Sequence, residues 1–346
     1  MIMRELAYDS SLVDSRGLLV TDSDDGMDWD FYDGSKTGEV SAYNDIYFET
    51  LTSAATMAKA LGLNSQAESY SQEANTLRSA INRYLFDPST GLYDVSDLQP
   101  TDVAQDANAM AVLFGVAPKG GDATILSALT KALPSTPYGP LPFSDATGYR
   151  RAVSPFVTNE EVQARFDSGD DGAALSLLRT LWGYMDAPGP DDTSADWEVV
   201  GAHGAPGLGA FTSLAHGWSS GATADLSSYV LGVRPSSAGF RTWSVQPHPG
   251  SLSWVEGNVP TPHGTISVRW AQDHSSGRFS LLVGAPVGTR GAISVPVPRS
   301  GATVTIRTTS GAKDRPPRVI TAGRGTSSLM VTVSGGATYV LEVTPQ

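Results

Sequence analysis

These 346 residues contain no cysteine. Disulfides, thiolate metal sites and a cysteine nucleophile are therefore excluded. The compartment is not fixed by this, because a secreted protein can do without disulfides. Histidine is scarce as well. There are five, at 203, 216, 248, 263 and 274, and no two have the helical spacing of a metal site. Phosphate loops, dinucleotide fingerprints, HExxH and the GxSxG elbow are all absent. Basic residues are in deficit: 23 Lys plus Arg against 36 Asp plus Glu gives a formal net charge of -13. A broad nucleic-acid surface is not expected from that balance. No apolar run approaches the roughly 18 residues that span a membrane. The opening MIMRELAYDSSLVDSRG lacks the apolar core of a signal peptide.

What is present is an ordinary globular composition, 40% hydrophobic and 17% charged, long enough for one large domain or two ordinary ones. Met3, Leu6, Ala7 and Ser10, with Leu12 and Val13 following, read as part of an amphipathic helix. A chain that opens inside a helical pattern reads as a portion of something longer. From Tyr43 to Gly62 the apolar positions Ile46, Tyr47, Leu51, Ala54, Ala55, Ala58 and Leu61 share one helical face, and Gly62 is placed to cap it. A second helix is expected over 65–86, with Ala67, Tyr70, Ala74, Leu77, Ile81 and Leu85 inward. Shorter ones are expected near 102–115, 122–133, 158–167, 171–186 and 207–232.

Near residue 235 the hydrophobic period falls from about 3.6 to 2. The segments 265–270, 278–284, 292–297, 303–308, 329–334 and 339–343 read as strands separated by Gly or Pro turns. The fold class is therefore mainly α with a second, all-β domain: a helical domain over 1–235 and an antiparallel β domain over 236–346.

Chemistry in the helical region is concentrated where carboxylates stand beside tryptophans. Asp28-Trp29-Asp30 precedes a long helix, with Phe31 and Tyr32 adjacent; Asp196-Trp197-Glu198 follows the loop APGPDDTS. Trp182 lies one helix earlier, and His216 and Trp218 lie later. Aromatic faces stack on the C–H faces of a sugar, and carboxylates accept from its hydroxyls. Glycoside hydrolysis needs two carboxyl groups. Each residue also has a plainer role. A Trp before a helix often anchors a core, Asp28 or Asp30 can cap a turn, and Glu160-Glu161 gives a helix start favourable negative charge.

The stretches 26–62 (GMDWDFYDG onward), QDANAMAVLFGVA (105–117), VSPFVTNEEVQARF (153–166), LWGYMDAPGPDDTSADWE (181–198), SLAHGWSSGATADLSSYVLGVRP (213–235) and 239–270 occur together, in order, along nearly the whole chain. In this the sequence resembles the C-terminal part of the α-L-rhamnosidases of glycoside hydrolase family 78. The resemblance implies an (α/α)6 barrel followed by a small antiparallel β-sandwich, and inverting hydrolysis of terminal α-L-rhamnosides. It implies Glu198 as the general base, and Asp28, Trp29, Trp182 and His216 as residues that bind the sugar. No cofactor and no metal are implied, and the partner is a carbohydrate, with neither nucleic acid nor membrane. The family's general-acid Glu lies in an Arg- and Asp-rich segment upstream of the Asp-Trp pair, and residues 1–27 do not match it. About nine helices are counted where a complete barrel has twelve. The expectation is thus an incomplete barrel, with poor turnover unless Asp30 or Glu39 supplies the proton. The alternatives are a carbohydrate-binding or structural remnant, or another (α/α)6 carbohydrate-active enzyme.

Overall fold

The computed structural model describes residues 2–21, 29, 36–144, 151–188, 193–310 and 316–346. They fall into two compact units, Met1–Gly221 and Ala222–Gln346. Eight α-helices occur among the described residues, one fewer than counted from the sequence: α1 (Ile2–Ser11), α2 (Ser41–Ala60), α3 (Asn64–Tyr84), α4 (Gln105–Leu113), α5 (Asp122–Ala132), α6 (Pro155–Asp167), α7 (Asp171–Met185) and α8 (Gly221–Asp225).

The first unit is built from helix pairs. α2 packs on α3 and on α4, α4 on α5 and α6, and α6 on α7. In α2 the buried apolar set is Tyr47, Phe48, Leu51, Ala54, Ala55 and Ala58. Leu61 is 75% exposed, outside the expected stripe, because the helix ends at Ala60 and the chain turns away there. Gly62 takes the left-handed conformation (φ 76°), and its N–H reaches the carbonyl of Lys59. Only glycine adopts that backbone without strain. α6 begins three residues earlier than the apolar spacing suggests. Ser154 caps it by accepting from the Val157 N–H, and Pro155 fits the first helical position because it has no N–H to lose. A hairpin, Leu92–Ser96 with Gln99–Val103, follows α3 in the chain and packs on α2, α4 and α5. Its alternation is too short to stand out in the sequence.

The expected helix over 207–232 is mostly absent. Gly204, Pro206, Gly207 and Gly209 favour short turns. The segment forms only 3-10 turns at Gly209–Phe211 and Gly217–Ser219 before α8. α8 continues into a π-helical turn, Leu226–Val230, and strands begin at Val233.

The second unit is two sheets. The larger runs in the order Trp254–Thr261, Gly264–Asp273, Arg278–Gly284, Thr338–Pro345, Ala302–Ser310, Arg318–Ala322, all antiparallel. The smaller runs Ser328–Ser334, Arg290–Pro296, Thr242–Val245, Val233–Pro235. One of its pairings, Arg290–Pro296 with Thr242–Val245, is parallel, against the purely antiparallel expectation. Burial alternates along the strands. Ile266, Val268 and Trp270, then Phe279, Leu281 and Val283, line the inner face of the larger sheet. Trp254–Thr261 escaped the sequence reading because Gly257 and Pro260 interrupt its pattern. Both residues are tolerated because it is an edge strand.

Candidate functional site

Of the expected site residues, Trp29, Glu198 and His216 lie in three loops of the helical unit, and Trp182 lies in α7. Glu198 lies just after the loop that follows α7. Its backbone pairs with Ser213, Glu198 N to Ser213 O at 2.8 Å, and its Oε2 accepts from the Ser213 N–H at 3.0 Å. One carboxylate oxygen is thereby held in place while the side chain stays partly open to solvent. His216 sits alongside, with Nδ1 4.0 Å from Glu198 Oε2. The His216 N–H donates to the Asp196 carbonyl, so the two chain segments are stitched together at both ends. Trp218 donates from its indole to the Glu198 carbonyl at 3.1 Å.

From there a ladder of rings leads away. His216 and Trp218 have centroids 4.4 Å apart, Trp218 and Phe156 5.8 Å, and Phe156 and Trp29 5.4 Å. Trp29 meets Tyr43 edge-on at 6.2 Å. Trp29, Tyr43, Phe156 and Trp218 form one wall of an open cleft of about 650 Å³, with Asp9, Tyr47, Thr21 and Thr50 adding polar groups. Aromatic faces with scattered acceptors are what a sugar ring meets in a binding site. Glu198 and His216 do not line this cleft; they touch Trp218, which does.

Trp29 is held from behind. Its indole donates to Asp106 Oδ2 at 3.1 Å, and the buried Lys36 ammonium pairs with the same oxygen. Lys36 Nζ lies over the rings of Trp29 (5.3 Å), Phe143 (5.5 Å) and Tyr43 (5.8 Å). A cation on three ring faces with a carboxylate alongside fixes the orientation of the platform. Lys36 and Asp106 gave no signal in the sequence, because one charged side chain in a loop and one at a helix start look like solvated residues.

Trp182 differs from the expectation. It is 3% exposed, and its indole N–H is used by the Ser219 carbonyl at 2.6 Å. Ser219 in turn donates to the Trp197 carbonyl. Trp182 thus supports the turn that presents His216 and Trp218, and is no part of the cleft wall. Asp28 and Asp30 lie outside the described residues. Glu39 is occupied elsewhere. It pairs with Arg16 at 2.7 Å, and Arg16 also holds Asp14 and Asp97. The Asp97 carboxyl beside it, and then burial, push Glu39 above the usual carboxylate range.

Several other carboxyls hold protons more firmly than the sequence indicates, among them Asp94, pushed up to about 6 by burial and then by Asp87, and Asp196, pushed up by burial and then by Asp186. Asp9, on the cleft wall, is pushed up by burial and then by Glu5 and Glu73. Glu160 is pushed up to about 7 by burial alone. It sits at the sixth position of α6, beyond the first turn, so the helix-start role expected for it does not hold. It lies one turn after Phe156 and has no hydrogen-bond partner among the described residues. Its neighbour Glu161 is buried and structural, paired with Arg165 at 2.6 Å and accepting from Gln105. A second cavity, of about 320 Å³, runs past this pair. Glu161, Asp170, Thr130 and Leu126 there engage four of the five N–H donors of the Arg165 guanidinium. Among the described residues no cluster of metal-binding side chains occurs, and no helix is long and apolar enough to cross a membrane.

Two family domains match the sequence. The six-hairpin glycosidase domain of bacterial α-L-rhamnosidases matches residues 8–138, and the bacterial α-L-rhamnosidase C-terminal domain matches 232–309. Together they cover more than half of the chain. Among solved structures, the Streptomyces avermitilis α-L-rhamnosidase complexed with L-rhamnose superposes with a TM-score of 0.67 at 19% identity, over 98% of this chain and 30% of that one. The family 78 rhamnosidase of Bacillus sp. GL1 gives 0.62 at 24% identity, over 80% and 28%. The Dictyoglomus thermophilum α-L-rhamnosidase gives 0.66 at 17%, over 86% and 31%. At these identities the likeness is one of fold. The chain spans less than a third of the length of each of these proteins. No curated protein sequence matches it.

Proposed function

We infer that this chain, which belongs to the bacterial α-L-rhamnosidase family of six-hairpin glycosidases, acts on terminal non-reducing α-L-rhamnose by inverting hydrolysis. The helices are read as part of an (α/α)6 barrel spanning 1–235, and the two sheets as a β-sandwich over 236–346. The observation that carries the reading is the geometry at Glu198. One carboxylate oxygen is fixed by a backbone N–H, a histidine stands 4.0 Å away, and a ladder of aromatic rings leads from it into an open cleft.

In this reading Glu198 takes a proton from water, and the water oxygen attacks the anomeric carbon from the face opposite the leaving group. The N–H of Ser213 keeps the carboxylate oriented while it acts. His216 and Trp29 contact the sugar, as does Asp28. A second carboxyl must protonate the departing oxygen, and inversion sets the two groups roughly 6.5–9.5 Å apart to make room for the water. A carboxyl suited to that task stays protonated near neutral pH. Several described carboxyls are shifted in that direction: Asp9 on the cleft wall, Glu160 on the Phe156 side of α6 and Asp196 two residues before Glu198, besides Glu39, Asp45 and Asp94. No cofactor enters the scheme.

The test is Glu198→Gln. The amide keeps the shape of the side chain but cannot accept the proton, so kcat on p-nitrophenyl α-L-rhamnoside should fall roughly 10²–10⁴-fold with rhamnose binding retained. A variant within about threefold of the parent assigns the base elsewhere. The other reading is a sugar-binding module without turnover, in which the aromatic ladder and its cleft hold a sugar. Rhamnose binding by a parent that releases no p-nitrophenol would establish it.

A further inference from the structure

The outer face of the larger sheet carries a feature that the rhamnosidase chemistry leaves unused. Directly paired residues in an antiparallel sheet point to the same side. The register places Trp254, Ala271, Ser280 and Glu342 in one row across four successive strands. At strand spacings of about 4.8 Å that row is about 14 Å long, the length of a short oligosaccharide. Its neighbours on the inner side, Trp270, Leu281 and Leu341, are fully buried. The row therefore belongs to the open face.

Trp254 is 66% exposed, and its indole N–H has no partner among the described residues. Beside it Ala271 and Ser280 are small, and the taller side chains around them leave a cleft of about 400 Å³. The cleft walls offer hydrogen-bonding groups in both senses. The Arg278 side chain has no ion pair or hydrogen bond among the described residues. Glu342 gives one oxygen to Arg307 at 2.6 Å and keeps the other free. Thr344 and Ser280 add hydroxyls.

We propose that this face is a second carbohydrate site, one that takes a stretch of neutral polysaccharide with one sugar ring stacked on Trp254 and the hydroxyls of units further along the chain on Arg278, Glu342 and Thr344. An indole face, a floor of small residues and paired donors and acceptors suit a ring with C–H faces and an equatorial belt of hydroxyls. Neutrality follows from the local charge. Arg278 and Arg307 are balanced by Asp273 and Glu342, and the chain as a whole carries -13, which repels polyanions. An ordinary solvated sheet face would have no need of an indole standing clear of the core beside a depression.

The experiment is affinity electrophoresis of the full chain in gels containing soluble galactan, xyloglucan or rhamnose-terminated arabinogalactan, with polygalacturonate as the charged arm. Retardation by at least one neutral polymer is expected. Affinity should fall at least tenfold in Trp254→Ala and recover in Trp254→Phe, which keeps a ring, with thermal unfolding unchanged because the residue is mostly exposed. Met330→Ala, equally exposed on the other sheet, should bind as the parent does. Glu198→Gln should also bind as the parent does, so loss of the proposed catalysis and loss of this site are separately visible. Absence of retardation, equal retardation of Trp254→Ala, or retardation by polygalacturonate alone overturns the proposal. So does a Trp254→Ala effect that appears only as a change of oligomeric state in size-exclusion chromatography.

Discussion

In the helical unit Lys36, Asp45, Asp106, Glu161 and Arg165 are all buried; from Val233 onward no charged side chain is buried among the described residues. The contrast is sharpest for two ion pairs of equal length. Arg165 and Glu161 meet at 2.6 Å with side chains 5% and 3% exposed. Arg307 and Glu342 meet at the same distance with 48% and 46% exposed. The first pair was taken out of water and depends on its full set of partners. The second exchanges one set of hydrogen bonds for another at the surface. A helix surface allows a long polar side chain to be aimed inward from any turn. A sheet core is filled by alternate residues only, and in this one they are apolar. The first unit, which buries five charged side chains, also has the candidate catalytic groups; the second buries one, Asp225, just before its strands begin.

The largest effect should come from breaking the buried pair. Glu161→Ala leaves Arg165 and Gln105 without that acceptor, and chemical denaturation should show a loss of about 3–5 kcal/mol. A loss under about 1 kcal/mol would mean that water reaches the site and that the contrast between the units is false.

Asp45 sharpens the comparison through pH. It is fully buried on α2 with neither carboxylate oxygen hydrogen-bonded. Burial first, and then the charge of Asp106, raise it well above its ordinary value. Its folded form therefore keeps a proton that the unfolded chain releases. That contribution to stability is complete below the usual aspartate range and is lost as pH rises toward the raised folded value. Relative to Asp45→Asn, the parent should lose about 1.4 kcal/mol per pH unit across that window. Urea denaturation of both proteins at pH 5 and pH 8 measures it. Parallel stabilities would show that Asp45 is ionised in the fold.

The smallest effect is expected on the sheet. Glu342→Ala removes the partner of Arg307 in an exposed pair, and its cost should be within about 1 kcal/mol and shrink further in salt. A cost comparable with that of Glu161→Ala would erase the distinction between the two units.

Much of this was legible in the residues, and what was not has physical reasons. The helices α2, α3 and α7 and the six strands with clean alternation stood out because one face of each is continuously apolar. Glu198, His216 and Trp29 stand out only through the resemblance of the motifs around them, and the fold brings His216 and Glu198 to 4.0 Å. The turns at 209–219 were taken for helix because Leu208, Phe211 and Leu214 have helical spacing. Glycine backbone freedom decides there, and Leu214 and Phe211 end up exposed. Trp182 was misplaced because an indole that binds a sugar and one that props a turn look alike until the Ser219 carbonyl is seen. Lys36, Asp45 and Asp106 could not be read at all. Burial of a charge depends on partners distant in sequence, and no local pattern encodes it.

Pro260 gives the edge strand Trp254–Thr261 a further consequence. An open sheet edge is a template on which a foreign strand can add, and fibrous aggregation begins that way. A proline has no N–H to offer such a visitor, so the outer ladder is broken there. Glu256, exposed on the same strand, adds a charge that opposes stacking. The sheet unit can thus keep an aromatic residue uncovered at its margin without inviting other copies to extend it.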